Sequence, residues 1–320
     1  MEKVLVIIPD NNKGKFISKG FSSAFKDFSY FVVEKKIYDL NVDEVNKISP
    51  NIFFIFWSDI KQTNDLIDFL EKVQNKNATF INLSENLSDI PDKIQSLDNS
   101  YSFSYDNKKK KLRVLPAISP KEYKRKFTGY RYLITFSGNP AYENREKILA
   151  KLIYNFGIIN IFCRSYDFYK SVDDMYRNNL LDEKYIHLYR DSYRGYVENP
   201  KELSYIYTNS KVNIDMLHDD SKLINYRCME ILASGGFLIS PYSELLVKTF
   251  EDGKEIETYK NDTELVDKIN FYLNNANLAQ LIASKGKKNV VSNHSFYDRL
   301  KVMLKEIYGK DSRNRWWYSN

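Results

Sequence analysis

The chain has 320 residues, 43% of them hydrophobic and 28% charged, which is enough length for two ordinary domains and is the composition of a globular protein rather than a disordered one. Its net charge of +6 is modest, with basic residues scattered among nearly as many acids, so nucleic acid is not an expected partner. The two cysteines, Cys163 and Cys228, lie in apolar segments and exclude a disulfide framework or a Cys-rich zinc site; with no apolar run long enough for a signal peptide or a membrane span, a cytoplasmic location is expected.

The first half alternates short apolar runs with amphipathic ones. "VLVIIP" is followed by a helical segment over Phe16–Phe25, "YFVVE" by Val42–Ile48, "IFFIFW" by Leu66–Val73, and then "ATFINL". Continuous apolar strands separated by helices predict a parallel sheet covered on both faces. From Asp89 to Tyr130 the rhythm weakens into polar and basic sequence punctuated by Pro91, Pro116 and Pro120, which places the domain connection there.

The rhythm then restarts. Strands are predicted at "YLITFSG", "IINIFC", "YIHLY", "KVNIDM", "GGFLIS" and "EIETY". Helices are predicted at "NREKILAKLIYNF", near Val172–Asn178, from Asn199-Pro200, from Asn225, over "NDTELVDKINFYLNN", over Leu278–Val290 and over Phe296–Tyr308, the last a candidate to fold back across the domain boundary. The expected fold is α/β, with two consecutive doubly wound, Rossmann-like domains: residues 1–120, residues 121–300, and a helix end with a basic and aromatic tail over 301–320.

In such sheets ligands bind at the carboxyl edges of strands, so residues just past each strand are the candidates. In "FSGNPAYENR", Gly138 and Asn139 form a turn that lets a phosphate approach the backbone, and Arg145 follows on the next helix; a Gly-Asn turn without a ligand is the alternative. Tyr193, Arg194, Gly195 and Tyr196 are suited to stacking on and hydrogen-bonding a nucleobase. In "NYRCMEILASGGFLIS", Asn225 is a helix N-cap, Gly235-Gly236 the left-handed stop, and Arg227 a cation in a first turn. A cation there opposes the helix dipole by a few tenths of a kcal/mol up to about 1. Two readings follow: a diphosphate clamp of Arg227 with the free amides, with Glu230 accepting from sugar hydroxyls, or a solvated Arg227 with Glu230 merely complementing the dipole. The dipole argument predicts that loss of Arg227 leaves stability almost unchanged or raised.

Other features read as structural. The carboxylate pairs Asp173/Asp174 and Asp219/Asp220 could hold a divalent cation, but Asp173 precedes a predicted helix and fits capping better, and no metal site is expected. His187, inside a predicted strand, reads as structural, and the Lys108–Lys111 run as a solvated loop. Arg313, Arg315, Trp316, Trp317 and Tyr318 suit either a peripheral membrane or protein contact, or packing on the first domain.

With these segments assembled, the second half resembles the GT-B glycosyltransferases, particularly the subgroup grouped with the spore maturation protein CgeB and the wider group 1 family. The resemblance rests on "FSGNPAYENR", "GYVENPKELSYIYTNSKVNI", "NYRCMEILASGGFLIS", "FEDGKEIETYKNDTELVDKI" and "SNHSFYDRL", covering Tyr130–Leu300. It implies two Rossmann-like domains facing each other across a cleft, with a nucleoside-diphosphate sugar bound mainly by the second and the acceptor, a glycan, protein or lipid-linked molecule, mainly by the first. Glu230 matches the second of the family's paired glutamates, which implies a contact to the ribose, and Arg227 falls beside the diphosphate. Gly138, Asn139 and Arg145 fall in the diphosphate segment, where Asn139 replaces a frequent arginine. Lys222 stands where relatives carry the first glutamate, with Asp219 or Asp220 as substitutes.

The expected function is therefore sugar transfer from a nucleotide-sugar donor substrate, with retention implied by the resemblance and with no cofactor or metal. A non-catalytic sugar-nucleotide-binding or scaffold protein is the alternative. An inverting route would need a base from the first domain, for which Asp10, at the end of "VLVIIPD", is the candidate; an ordinary turn residue is its other reading.

Overall fold

The structure, a computed structural model, describes residues 1–73, 75, 77–106, 112–217 and 223–309. Two units divide the chain. The first comprises Met1–Ile118 and the described residues from His294 on, and the second comprises Ser119–Asn293.

In chain order the first unit contains β1 (Lys3–Ile8), α1 (Asn12–Asp27), β2 (Phe31–Lys36), α2 (Val42–Ile48), β3 (Ile52–Phe56), α3 (Thr63–Lys72), β4 (Thr79–Ser84), α4 (Asp92–Gln95) and β5 (Ser100–Ser104). The second contains β6 (Tyr132–Ser137), α5 (Glu143–Phe156), β7 (Asn160–Phe162), α6 (Ser165–Arg177), α7 (Glu183–Arg190), α8 (Pro200–Thr208), β8 (Ser210–Ile214), α9 (Tyr226–Ser234), β9 (Leu238–Pro241), α10 (Glu244–Thr249), β10 (Glu257–Tyr259), α11 (Asp262–Asn274) and α12 (Ala276–Asn293). The last helix, α13 (Phe296–Tyr308), belongs to the first unit.

The sheets are both parallel, with strand orders β2-β1-β3-β4-β5 and β7-β6-β8-β9-β10. Each is the order 2-1-3-4-5 within its unit, so the direction of winding reverses between the first and third strands, β1/β3 in one and β6/β8 in the other. The apolar runs explain the layering: every residue of β3 and Val4 through Ile7 of β1 are fully buried, as strands covered on both faces must be.

Two elements depart from the sequence reading. Tyr185–Tyr189, predicted as a strand, lies inside helix α7, where Ile186 and Tyr189 face the core three residues apart and His187 is exposed. Its aromatic and β-branched content suggested a strand, but helical spacing is what buries it, with Tyr189 stacked on Phe168 and hydrogen-bonded to Ser171. Strand β5 was not predicted, because "SYSFS" has no apolar run; only Phe103 and Ser104 in it are fully buried. Asp173 is an exposed residue well inside α6, which begins at Ser165, so it caps nothing.

The helix α13 is held in the first unit by aromatic packing. The Phe296 ring lies edge-on to Phe16 and Phe21, and Tyr297 stacks on Phe28 at 4.3 Å. Gly20 in α1 makes this approach feasible, since a Cβ there would sit 2.3 Å from the Phe296 ring. A mid-helix glycine costs about 1 kcal/mol against alanine, which this packing offsets. Residues His294–Leu300, placed with the second domain on sequence, thus lie with the first unit. The Lys108–Lys111 run and the tail from Lys310 lie outside the described residues. Among the described residues no helix is long and apolar enough to cross a membrane.

His294 sits where the chain re-enters the first unit. Its carbonyl accepts from Ile118 N, and Arg299 donates to its Nδ1 while also reaching the Leu115 carbonyl. Burial, then the adjacent guanidinium, pushes the imidazole down to about 4 from 6.5. The fold therefore holds a neutral ring, and that stabilisation is complete above 6.5 and is lost as pH falls from 6.5 to about 4. In urea titrations from pH 7 to 4.5, His294→Gln should lose less stability on acidification than the parent, by at most about 3 kcal/mol. Parallel losses in both proteins would show that this ring does not titrate with folding.

Candidate functional site

The carboxyl edges of β6 and β8 are neighbours, with Phe136 in register with Ile214. Two loops therefore start side by side, at Ser137-Gly138 and at Asp215-Met216. Helix α9 then brings a third element to the same edge, because Asn225 caps it by accepting from Cys228 N at 3.0 Å.

Asp215 joins these elements. Its carboxylate, 3% exposed, accepts from Arg227 Nη1 at 2.8 Å, from Asn225 Nδ2 at 3.0 and 2.8 Å, and from Ser240 Oγ at 3.4 Å. Its backbone N–H donates to Ile239 O, and its carbonyl accepts from Tyr259 OH. One acid thus ties β8 to the start of α9, to β9 and to β10.

Arg227 is fixed on three sides. Beyond Asp215, its guanidinium lies over the Phe136 ring at 5.1 Å and against Gly138, where a Cβ would come within 2.1 Å of Nη2. Gly138 also has φ +142, a conformation that L side chains rarely adopt, so glycine is required there twice over. The side chain keeps 16% exposure at the positive end of α9, whose first turn carries no acid. A cation held beside helix amides, with a glycine leaving it room, is an arrangement that favours a phosphate-type anion.

Arg145 does a different job. It is 5% exposed, donates from Nε and Nη2 to the Met216 carbonyl at 3.0 and 2.8 Å, and from Nη1 to the Asn139 carbonyl at 2.7 Å. It clamps the two loops together. Asn139 completes its turn by accepting from Ala141 N and donating to Asp167.

Glu230 lies one turn further along α9 and accepts from Tyr123 OH at 2.9 Å. A second buried tyrosine, Tyr207, hydrogen-bonds Ser137 and lies in the same electrostatic neighbourhood, and burial raises both phenols well above the ordinary tyrosine range. Both hydroxyls therefore stay protonated, and that of Tyr123 donates to Glu230.

Residues 155–305 match a family model described as glycosyl transferase-like. Similar solved structures share the fold across nearly the whole chain. A glycosyltransferase from Rickettsia africae is 12% identical, with TM-score 0.65 and coverage of 97% of this chain and 99% of that one. A sucrose-phosphate synthase from Thermosynechococcus elongatus is 9% identical, with TM-score 0.65 and coverage of 96% and 99%. HepE of Anabaena, solved with UDP-glucose, is 10% identical, with TM-score 0.63 and coverage of 98% and 100%. The chain has the GT-B fold. No curated protein sequence matches it.

Within this fold, five of the residues singled out on sequence, Gly138, Asn139, Arg145, Asn225 and Arg227, gather at the β6/β8 edge, and Glu230 follows on the same helix. Tyr193, Arg194, Gly195 and Tyr196 lie elsewhere along the sheet. Arg194 N donates to Ile161 O and Gly195 O accepts from Cys163 N, so this segment runs along the outer side of β7. There Tyr193 stacks on Phe168, Arg194 bonds Asn160, and Arg164 covers the Tyr196 ring. Asp10 is exposed at the end of β1 in the first unit. Asp219, Asp220 and Lys222 lie outside the described residues, as does His218. Among the described residues no three His, Cys, Asp or Glu side chains gather as a metal cluster.

Asp215 and Tyr123 escaped the sequence reading. Asp215 carried a signal, being the first residue past the "KVNI" strand, where strand-edge reasoning looks. Tyr123, a lone aromatic in "KEYKRK", carried none.

The Asp215 pair also overturns one expectation, that removing Arg227 relieves an unfavourable dipole contact and leaves the fold as stable or more so. Loss of the cation strands a buried carboxylate on one amide and one hydroxyl, which outweighs the dipole effect. Arg227→Ala should therefore lower stability by about 2–4 kcal/mol in urea at pH 7, and Asp215→Asn combined with Arg227→Leu should recover part of it. Unchanged stability in Arg227→Ala would return the arginine to the solvated reading.

Proposed function

We propose that this protein is a glycosyltransferase that takes a nucleoside-diphosphate sugar as donor, with the diphosphate at the β6/β8 edge, and passes the sugar to a glycan, protein or lipid-linked acceptor with retention and without a required metal. The observation that carries the reading is Arg227, held by Asp215 over Gly138 at the start of α9. Bond cleavage at the sugar leaves the electron pair and negative charge on the departing diphosphate. A guanidinium already fixed in place, together with the α9 amides, stabilises that charge without reorganising. Arg145 contributes by holding the two loops rather than by touching phosphate. Glu230 accepts from the ribose hydroxyls, and the resemblance in sequence supports retention.

HepE of Anabaena was solved with UDP-glucose, which makes UDP the first nucleotide to test. In calorimetric titrations Arg227→Ala should weaken UDP by about 2–3 kcal/mol and leave uridine nearly unchanged, because only the diphosphate contact is lost. Glu230→Gln should weaken both alike. Equal losses for both ligands in Arg227→Ala would mean that this arginine does not read phosphate.

Transfer, followed as released nucleotide across a donor panel, should survive chelator. Activity that vanishes with chelator and returns with manganese or magnesium would overturn the metal-free assignment. The product anomer, read by NMR, should match the donor; an inverted product would overturn retention and bring Asp10 forward as the base.

A further inference from the structure

The segment from Ser119 to Tyr130, which leads into β6, is polar, basic and without helix or strand, yet one of its residues is among the most buried in the chain. Tyr123 is 1% exposed, while Lys121, Lys124, Arg125 and Lys126 around it are exposed. Two of its side-chain contacts tie the segment to α9 and to the end of α8. Thr128 N and Oγ1 donate to Asn209 Oδ1 at 2.9 and 3.0 Å, and Tyr123 OH donates to Glu230 Oε1 at 2.9 Å. The first is a structural anchor. The second ends on the carboxylate assigned above to the ribose.

We infer that Tyr123 is a positioning residue for Glu230, so that nucleotide binding and docking of the 119–130 segment are coupled. The inference rests on the ribose reading of Glu230. A carboxylate has two oxygens and several lone pairs, so one oxygen can accept from Tyr123 while the group still receives ribose hydroxyls. Left alone, a glutamate samples several rotamers, and a buried hydroxyl at fixed distance selects among them before the ligand arrives. Burial and the facing carboxylate hold the phenol protonated, so it remains a donor throughout the folded range. Groups facing the pair include Tyr207 and Glu122, whose carboxyl is raised by burial. Coupling is reciprocal: if the docked segment favours nucleotide, bound nucleotide must favour the docked segment.

Calorimetry on the full chain tests this with uridine, UDP and inorganic pyrophosphate, comparing the parent, Tyr123→Phe, Glu230→Gln and the double variant. Tyr123→Phe keeps the buried ring and should weaken uridine and UDP alike by about five- to tenfold, with pyrophosphate unchanged. In the Glu230→Gln background the same change should cost under about twofold, since its target is gone. UDP should also slow trypsin cleavage at Lys124–Lys126 in the parent and not in either single variant, a readout that simple loss of packing would not produce. A full Tyr123→Phe effect in both backgrounds, or none in the parent while Glu230→Gln still weakens uridine, overturns the positioning role alone. Unchanged uridine affinity in Glu230→Gln overturns the ribose reading, and this inference falls with it.

Discussion

A carboxylate at the end of β8 and a guanidinium in the first turn of α9 hold each other at 2.8 Å, and the rest of the site is arranged around that pair. Each charge alone would be unfavourable in its place. Arg227 opposes the dipole of its own helix, and Asp215 is almost wholly removed from water. Together they neutralise each other while leaving part of the guanidinium facing outward, and Asn225 serves both as cap of α9 and as donor to the same carboxylate. The helix start, the strand end and the cation are consequently fixed relative to one another before any ligand binds, which is the preorganisation that transition-state charge stabilisation requires.

Two arginines stand at this edge, and their bonding separates their roles. Arg145 uses three donors on backbone carbonyls of two loops, which shapes the edge without leaving it much to offer an anion. Arg227 is partnered by one carboxylate and packed on a ring and a glycine, which immobilises it while leaving donors at the surface. Sequence position alone does not distinguish them, since both follow a strand edge by a short interval. The distinction comes from where their neighbours place carbonyls and carboxylates.

Much of the fold was legible because burial on both faces of a parallel sheet demands continuous apolar runs, and these stand out in β1, β3, β4 and β6. Capping was equally visible: the Asn225 start and the Gly235 stop of α9 lie where Asn and Gly chemistry puts them. Legibility failed where composition and burial part ways. In α7 a strand-like composition is buried with helical spacing, and in β5 a serine-rich strand has little apolar surface to announce it. At the site, strand-edge reasoning located Gly138 and Arg145, and helix-start reasoning Arg227, but neither found Tyr123, which is tied to Glu230 by a hydrogen bond across 107 residues. No local pattern encodes that distance.

The two units share one strand order, which makes their unlike edges informative. At β1/β3 the groups following the strands are engaged among themselves: Asn11 caps α1 through Gly14 N and reaches the Ser58 and Asp59 carbonyls, Ser58 binds Asp89, and Lys13 is paired with Glu85. The space a Cβ of Gly14 would need is filled by Pro9 and Asn11, not by a cation. At β6/β8 a glycine faces a guanidinium instead. Topology supplies a crevice in both units, but an anion needs a cation that is held without being used up. Among the described residues that arrangement occurs at Arg227, which is why the donor phosphates are proposed for the second unit.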